Sequence, residues 1–368
     1  MLQAGYRAAT DVGAFLDGPQ FASTYVAPGD PSQHRLTYGR FDNPTWTGFE
    51  EALGQLEGGY ATSFASGMAA VAAVFGVCLK PGDFVVLPSD SYYTTRVLAS
   101  NWLAPIGIEV RTAPTRDNAQ RDVLGGARLL WLETPSNPGL DICDIGELVA
   151  AAREHGTLVA VDNTTATGYL QQPLALGADY VVASDTKALS GHSDVLLGHV
   201  AVRDTERVTG LRAWRTQHGS IPGPMEAWLA HRSLATLPLR LTRQCASAQT
   251  LAEFLVTQSV VTAVYYPGLA AHPGHEVAKR QMHAFGGVVS FELSTASSAD
   301  RFLRALTLVR EATSFGGVHS TAERRARWGG DAIGEGFIRF SVGCEAIEDI
   351  LADVSNALRA AVERVITT

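Results

Sequence analysis

The chain has 368 residues and a formal net charge of -8, with 29 Lys and Arg against 37 Asp and Glu, a balance that argues against a nucleic-acid backbone as the main partner but leaves room for a small anion held by a few donors. Hydrophobic residues make up 46% and charged residues 18%, which excludes a disordered chain, and the length suits two domains. No apolar run reaches the roughly 18 residues of a membrane span. The opening Met1-Leu-Gln-Ala-Gly-Tyr-Arg7 lacks the apolar centre of a signal peptide, so the expectation is a cytoplasmic protein with no membrane partner. Cys78, Cys143, Cys245 and Cys344 are far apart in mostly apolar or helical surroundings, which reads as reduced core thiols, in neither a disulfide nor a metal site.

Residues 1–40 show little periodicity and are rich in Gly, Pro, Ser and Thr, so an extended arm is expected there. Trp46, Phe49, Leu53 and Leu56 then recur at helical spacing, and Gly58-Gly59 stops that helix. Tyr38 and Arg40 precede it, and by residue type alone they are as suited to an open surface as to a site. Behind Ser66 and Gly67 a second helix opens, whose first amides could receive an anion, although a Ser-Gly start is also plain capping. A strand at 84–87 leads to Pro88-Ser-Asp-Ser-Tyr-Tyr-Thr-Thr-Arg96, and a strand at 128–132 ends in Glu133-Thr-Pro-Ser-Asn-Pro138. A helix over 145–155 and strands at 157–161 and Tyr180–Ala183 continue an alternating pattern, which predicts a mainly parallel sheet. A nicotinamide-binding fold would share that alternation, but no G-x-G-x-x-G follows the first strand.

Two polar residues stand out against this background. Val159-Ala-Val-Asp162 is a buried strand with a carboxylate at its carboxyl end, where open α/β sheets bind ligands. Lys187 follows the apolar run Tyr180–Ala183 in a loop of small polar residues, flanked by the hydroxyls of Ser184 and Thr186. A partly desolvated amine near other positive charge becomes a nucleophile toward an aldehyde. A lysine for the aldehyde and an aspartate for a ring nitrogen are what pyridoxal 5'-phosphate (PLP) requires.

From about residue 222 the pattern becomes helix-rich, with a helix over 242–256, strands ending near 269, over 286–293 and at 338–342, and a final helix from 347 to about 366. Arg339 stands on an apolar strand, where burial would demand an anionic partner. Glu323-Arg-Arg-Ala-Arg327 reads as a solvated surface, with one arginine able to reach a carboxylate at the far end of a substrate.

The stretch Ser184-Asp-Thr-Lys-Ala-Leu-Ser-Gly-His-Ser-Asp194 resembles the lysine motif of the Cys/Met-metabolism family of PLP enzymes, and the likeness extends from about Tyr38 to the C-terminus. The resemblance implies an aminotransferase-like (type I) α/β fold, divided into an N-terminal arm (1–40), a cofactor-binding large domain with a mainly parallel central sheet (41–225) and a smaller C-terminal α/β domain (226–368). It also implies catalytic roles for Lys187, Asp162 and Tyr92. The phosphate would be held by Gly67, Met68, Ser184 and Thr186, and across a subunit boundary by Tyr38 and Arg40. Tyr92 would stack on the ring, Asn137 would contact its hydroxyl, and Arg339 would clamp the substrate α-carboxylate with help from Asn137 and Ser314.

The activity implied is that of a carbon–sulfur lyase of the cystathionine γ-lyase type, working as a homotetramer built from dimers that share active sites. Joining an activated homoserine to a thiol, methionine γ-lyase or β-elimination activity, and cofactor binding without turnover remain alternatives. The sequence departs from the family in three places. Tyr93 and Thr94 replace two small residues, and Thr94 stands where methionine γ-lyases typically carry cysteine. His319 takes the place of a glutamate proposed to meet the distal end of the substrate. The loop 323–331 replaces a His-Pro-Ala-x-Met-Thr-His segment.

Overall fold

In the computed structural model, which describes residues 4–6 and 12–362, the alternating strands and helices form two sheets. The larger has seven strands: β1 (Tyr60–Phe64), β2 (Phe84–Pro88), β3 (Glu109–Ala113), β4 (Leu129–Glu133), β5 (Leu158–Asp162), β6 (Tyr180–Ala183) and β7 (Gly198–Val202), in the order β1-β7-β6-β5-β4-β2-β3. Every pairing among β3, β2, β4, β5 and β6 is parallel, while β7 runs antiparallel to both β6 and β1. β4 and β6 are buried at every residue, the pattern of parallel strands covered on both faces. Helices supply that cover, with Ala70, Val74 and Phe75 on one side and Leu148, Val149 and Ala152 on the other.

Local chemistry sets the boundaries. Helix Pro44–Glu57 starts where the Asn43 side chain accepts the Thr45 amide, has proline at its first position, and ends at Gly58 in the left-handed region with φ 74°. Its predicted apolar stripe, Trp46, Phe49, Leu53 and Leu56, is buried. β1, β3 and β7 escaped the sequence reading because Thr and Ser interrupt β1, charges interrupt β3, and glycine opens β7.

The smaller sheet has five strands: β8 (Val261–Tyr265), β9 (Val288–Leu293), β10 (Arg310–Glu311), β11 (Thr321–Arg324) and β12 (Phe337–Ser341), in the order β10-β11-β12-β9-β8. Only β10 and β11 pair in parallel. Helices Ala296–Ala305 and Ile347–Val362 pack on it through Phe302, Ile350 and Val354; the rest of the expected final helix lies outside the described residues. Helix Pro224–Leu234 buries Ala227, Ala230 and Leu234 in the same core as Trp46 and Phe49, so packing typical of the large domain continues beyond residue 226. Helix Leu237–Val256 runs from that core to the core of the small sheet. Residues 12–40 contain one three-residue helical turn and expose Phe15, Phe21 and Val26. Cys78, Cys143 and Cys245 are buried, and Cys344 is half-buried. Among the described residues no helix is long and apolar enough to cross a membrane.

Candidate active site

The carboxyl ends of β4, β5 and β6 open onto a cavity of about 440 Å³ whose far wall comes from the small sheet. Asp162 ends β5, and in register beside it Glu133 ends β4. Lys187 arrives four residues after β6, in a loop closed by hydrogen bonds from its amide to the Ser184 carbonyl (3.1 Å) and from the Gly191 amide to its own carbonyl (2.8 Å). Lys187 and Asp162 line the same cavity. The Lys187 Nζ donates to Ser314 Oγ at 2.7 Å and lies 5.3 Å from the centre of the Phe315 ring. Burial, with the nearby Arg339 charge, lowers the Lys187 ammonium to about 8, so a useful fraction is the free amine near neutrality.

Burial raises the Asp162 carboxyl, while the Thr164 hydrogen bonds and the charge of His199 act to lower it. A cationic ring nitrogen beside it would favour the ionised form further. Asp185, inside the lysine loop, is anchored to β7, where its Oδ1 pairs with His199 Nδ1 at 2.6 Å. On the other side His199 Nε2 lies 3.4 Å from Glu57 Oε1, and all three side chains are fully buried. Burial works against the imidazolium, but Asp185 and Glu57 outweigh it and hold His199 at about 10. Sequence reading passed over this trio, because Asp185 sits in a polar loop and Glu57 at a helix end, and only the fold brings both to His199.

The phosphate end is shaped for close approach. Ser66 takes the Ala69 amide, leaving the first-turn amides of Gly67 and Met68 without a carbonyl partner inside the helix. A Cβ on Gly67 would lie 2.7 Å from the Ser184 Cβ, and one on Gly198 would lie 2.6 Å from the Gly67 Cα. Ser184, Thr186, Gly67 and Met68 all line the cavity. The Thr186 hydroxyl also holds the loop, accepting from the Leu197 amide at 3.0 Å and donating to its carbonyl at 3.2 Å. This cradle, with an amine and a carboxylate beyond it, fits PLP.

At the opposite end Arg339 on β12 is almost wholly buried. It donates to Asn137 Oδ1 at 2.6 Å, to the Ser314 carbonyl at 3.0 Å and to Glu323 on β11. Burial lowers it to about 10, against the support of Glu323. Ser314 holds φ 81°, a strained conformation for a non-glycine residue that presents its hydroxyl to Lys187 and its carbonyl to Arg339. Tyr92 lines the cavity, half-exposed, and its amide is bound by Glu133 Oε2 at 2.7 Å. Glu133 Oε1 accepts the Asn137 amide at 3.1 Å. Glu133 and Glu323 were not singled out from sequence, although Glu133 ends a strand as Asp162 does.

His319 is exposed and does not line the cavity, because its turn is pinned by Val318 to Gly191 and by Ser320 to Glu345. The arginine-rich loop is not simply a solvated surface: Arg325 is buried and lines the cavity. Tyr38 and Arg40 lie off the cavity of their own chain, with Arg40 bound to the Thr216 carbonyl at 2.8 Å.

The family model for Cys/Met metabolism PLP-dependent enzymes matches residues 1–359. The chain belongs to that family. Within the Cys/Met metabolism family, a Streptomyces coelicolor protein named "Putative cystathionine gamma-lyase" is 57% identical over 348 residues, spanning 93% of this chain and 88% of its own. A Lactococcus lactis cystathionine beta-lyase is 41% identical over 352 residues, covering 91% of this chain and 92% of its own. The crystal structure of a Xanthomonas oryzae cystathionine gamma synthase in complex with cystathionine superposes with a TM-score of 0.94 at 36% identity, covering 98% and 97% of the two chains. The protein is therefore a PLP-dependent lyase or synthase of cysteine and methionine metabolism, with the fold of the transsulfuration enzymes.

Proposed function

We propose that the protein cleaves cystathionine by γ-elimination, adding water to give cysteine, 2-oxobutanoate and ammonia. The observation that carries this reading is the placing of Lys187 and Asp162 on one cavity whose opposite wall holds the buried guanidinium of Arg339. The relative at 57% identity, named for this activity, supports it.

PLP, when bound, supplies the electron sink that makes the substrate Cα acidic. Lys187 Nζ would hold the cofactor aldehyde and, as a free amine, would carry protons at the substrate Cα and Cβ. Asp162 would keep a proton on the ring nitrogen. Gly67, Met68, Ser184 and Thr186 would hold the phosphate, and Tyr38 and Arg40 of a neighbouring subunit would complete that grip. Arg339 fixes the α-carboxylate with its planar fork of donors, oriented by Asn137 and Ser314. Tyr92, which lines the cavity, would pack on the ring and would donate a proton to the departing sulfur. The working form is a cytoplasmic homotetramer, a dimer of dimers with shared active sites. Replacement at Cγ, joining an activated homoserine to a thiol, is the second reading, favoured by the likeness to a cystathionine gamma synthase.

Borohydride reduction of the loaded protein should fix the cofactor on Lys187 alone among the three lysines, Lys80, Lys187 and Lys279. Supplying cystathionine, methionine and acylated homoserines separately, and identifying the thiol and oxo acid formed, tests the reaction. Release of no 2-oxobutanoate from cystathionine would overturn it.

A further inference from the structure

Two departures from the family pattern, Tyr93-Thr94 and the loop 323–331, meet in space. Gly330 sits against the Tyr93 ring so closely that a Cβ there would come within 2.3 Å of it. The Arg96 guanidinium lies 5.5 Å from the centre of the same ring. It donates to the Gly330 carbonyl at 2.9 Å and to Asp331 at 2.7 Å. Asp331 also accepts from Arg325 at 2.9 Å, Arg325 donates to Glu323 at 3.2 Å, and Glu323 accepts from Arg339. A chain of alternating charge thus runs from β12 to helix Tyr93–Leu98 along the cavity wall. With Arg327, which also donates to Glu323, and its partner Glu311, it contains four guanidinium groups and three carboxylates, so one positive charge is left over.

Arg325 is the middle of that chain. It is 8% exposed and lines the cavity, and its buried Nε–H has no acceptor among the described residues. An unmet buried donor on a cation is costly, and an acceptor brought in by a ligand removes the cost. A planar guanidinium suits a carboxylate in particular. Trp328, whose Nε1 donates to Glu323 Oε2 at 2.8 Å, lines the same side of the cavity and is 57% exposed.

We propose that Arg325 is the specificity-determining residue of this site and reads a carboxylate at the far end of the substrate side chain, beyond the α-carboxylate taken by Arg339. The assignment rests on the reading of the cavity as a PLP site for amino acids. Cystathionine and O-succinylhomoserine both carry such a carboxylate. Methionine and O-acetylhomoserine carry none, and would leave the Arg325 donor unmet.

The test compares kcat/KM for members of these two pairs in the holoenzyme. Arg325→Met should lower the preference for cystathionine over methionine, or for succinyl over acetyl, at least tenfold, mainly through KM. Arg325→Gln, whose amide can still donate to Glu323 or Asp331, guards against simple loss of folding and should lower it several-fold. Which pair responds separates a thioether substrate from an acyl one. An equal loss on all substrates, the result expected if Arg325 only braces Arg339 through Glu323, overturns the proposal. Where turnover is absent, the same pairs are compared by the change they cause in cofactor absorbance. A wild-type enzyme inactive on cystathionine yet discriminating succinyl from acetyl partners through Arg325 would sink the γ-elimination reading and keep this one.

Discussion

Glu133 and Asp162 stand side by side at the carboxyl ends of two parallel strands, both buried on the same cavity. They divide the work of that edge. Glu133 takes the amides of Tyr92 and Asn137 and so fixes two loops, while Asp162, bound by the Thr164 amide, is the carboxylate proposed for the ring nitrogen. Burial, followed by the charge of Asp162, holds the Glu133 carboxyl well above the usual range. A raised carboxyl pKa means that the folded state binds the proton more tightly than the unfolded chain, so stability falls as pH rises from the unfolded value toward the folded one. Denaturant unfolding of the cofactor-free protein should show that decline, and Glu133→Gln should flatten it. An unchanged slope would mean that the burial of Glu133 is already compensated.

Lys187 gives the opposite slope. Its folded pKa of about 8 lies below the ordinary lysine value of 10.5, so the unfolded chain binds the extra proton between these values and stability increases with pH across that window. Cofactor-free Lys187→Met should therefore be more stable than the parent below pH 8, by up to ~3 kcal/mol, with the gap closing toward pH 10.5. Melting temperatures of both proteins at several pH values check this, and a constant gap would contradict it.

The Asp185–His199 pair is a stabilising contact under the lysine loop. Asp185→Asn should cost ~3–5 kcal/mol near neutral pH, as breaking a buried charge pair does, and should weaken PLP binding because Ser184, Thr186 and Lys187 share that loop. The folded His199 pKa of about 10 lies above 6.5, so the contribution is complete below pH 6.5 and disappears as pH rises through 10. Unfolding curves at pH 6 and pH 10 should show a large penalty at the first and a small one at the second.

Sharing of sites between subunits can be tested by mixing. Lys187→Ala and Arg40→Ala chains, each nearly inactive alone, should recover about a quarter of the parent activity when randomly paired, the statistical share of intact sites. Well-mixed oligomers with no recovery would place Arg40 outside the phosphate grip.

Legibility from sequence followed physical simplicity. Strands β2, β4, β5 and β6 declare themselves as short apolar runs, and Asp162 and Lys187 were found because each ends or follows such a run. Arg339 was conspicuous as a charge between Ile338 and Phe340. Glu323 was not, because the arginines after it resemble an open surface and only the fold brings β11 beside β12 in register, Glu323 opposite Arg339. The burial of Arg325 and the pairing of Asp185 with His199 likewise depend on contacts between distant segments, which periodicity does not report. The resemblance pointed to His319, but two flanking tethers turn it away.

The glycines at 67 and 198 leave no room for even one methyl group between the helix start, the lysine loop and β7. That end of the cavity is a rigid mould, whereas the 323–331 loop lines the cavity through the long side chains of Arg325 and Trp328. A randomised library should therefore yield working enzymes with altered preferences from the loop and almost none from either glycine, so that new substrates in this scaffold would arise at the end farthest from the phosphate.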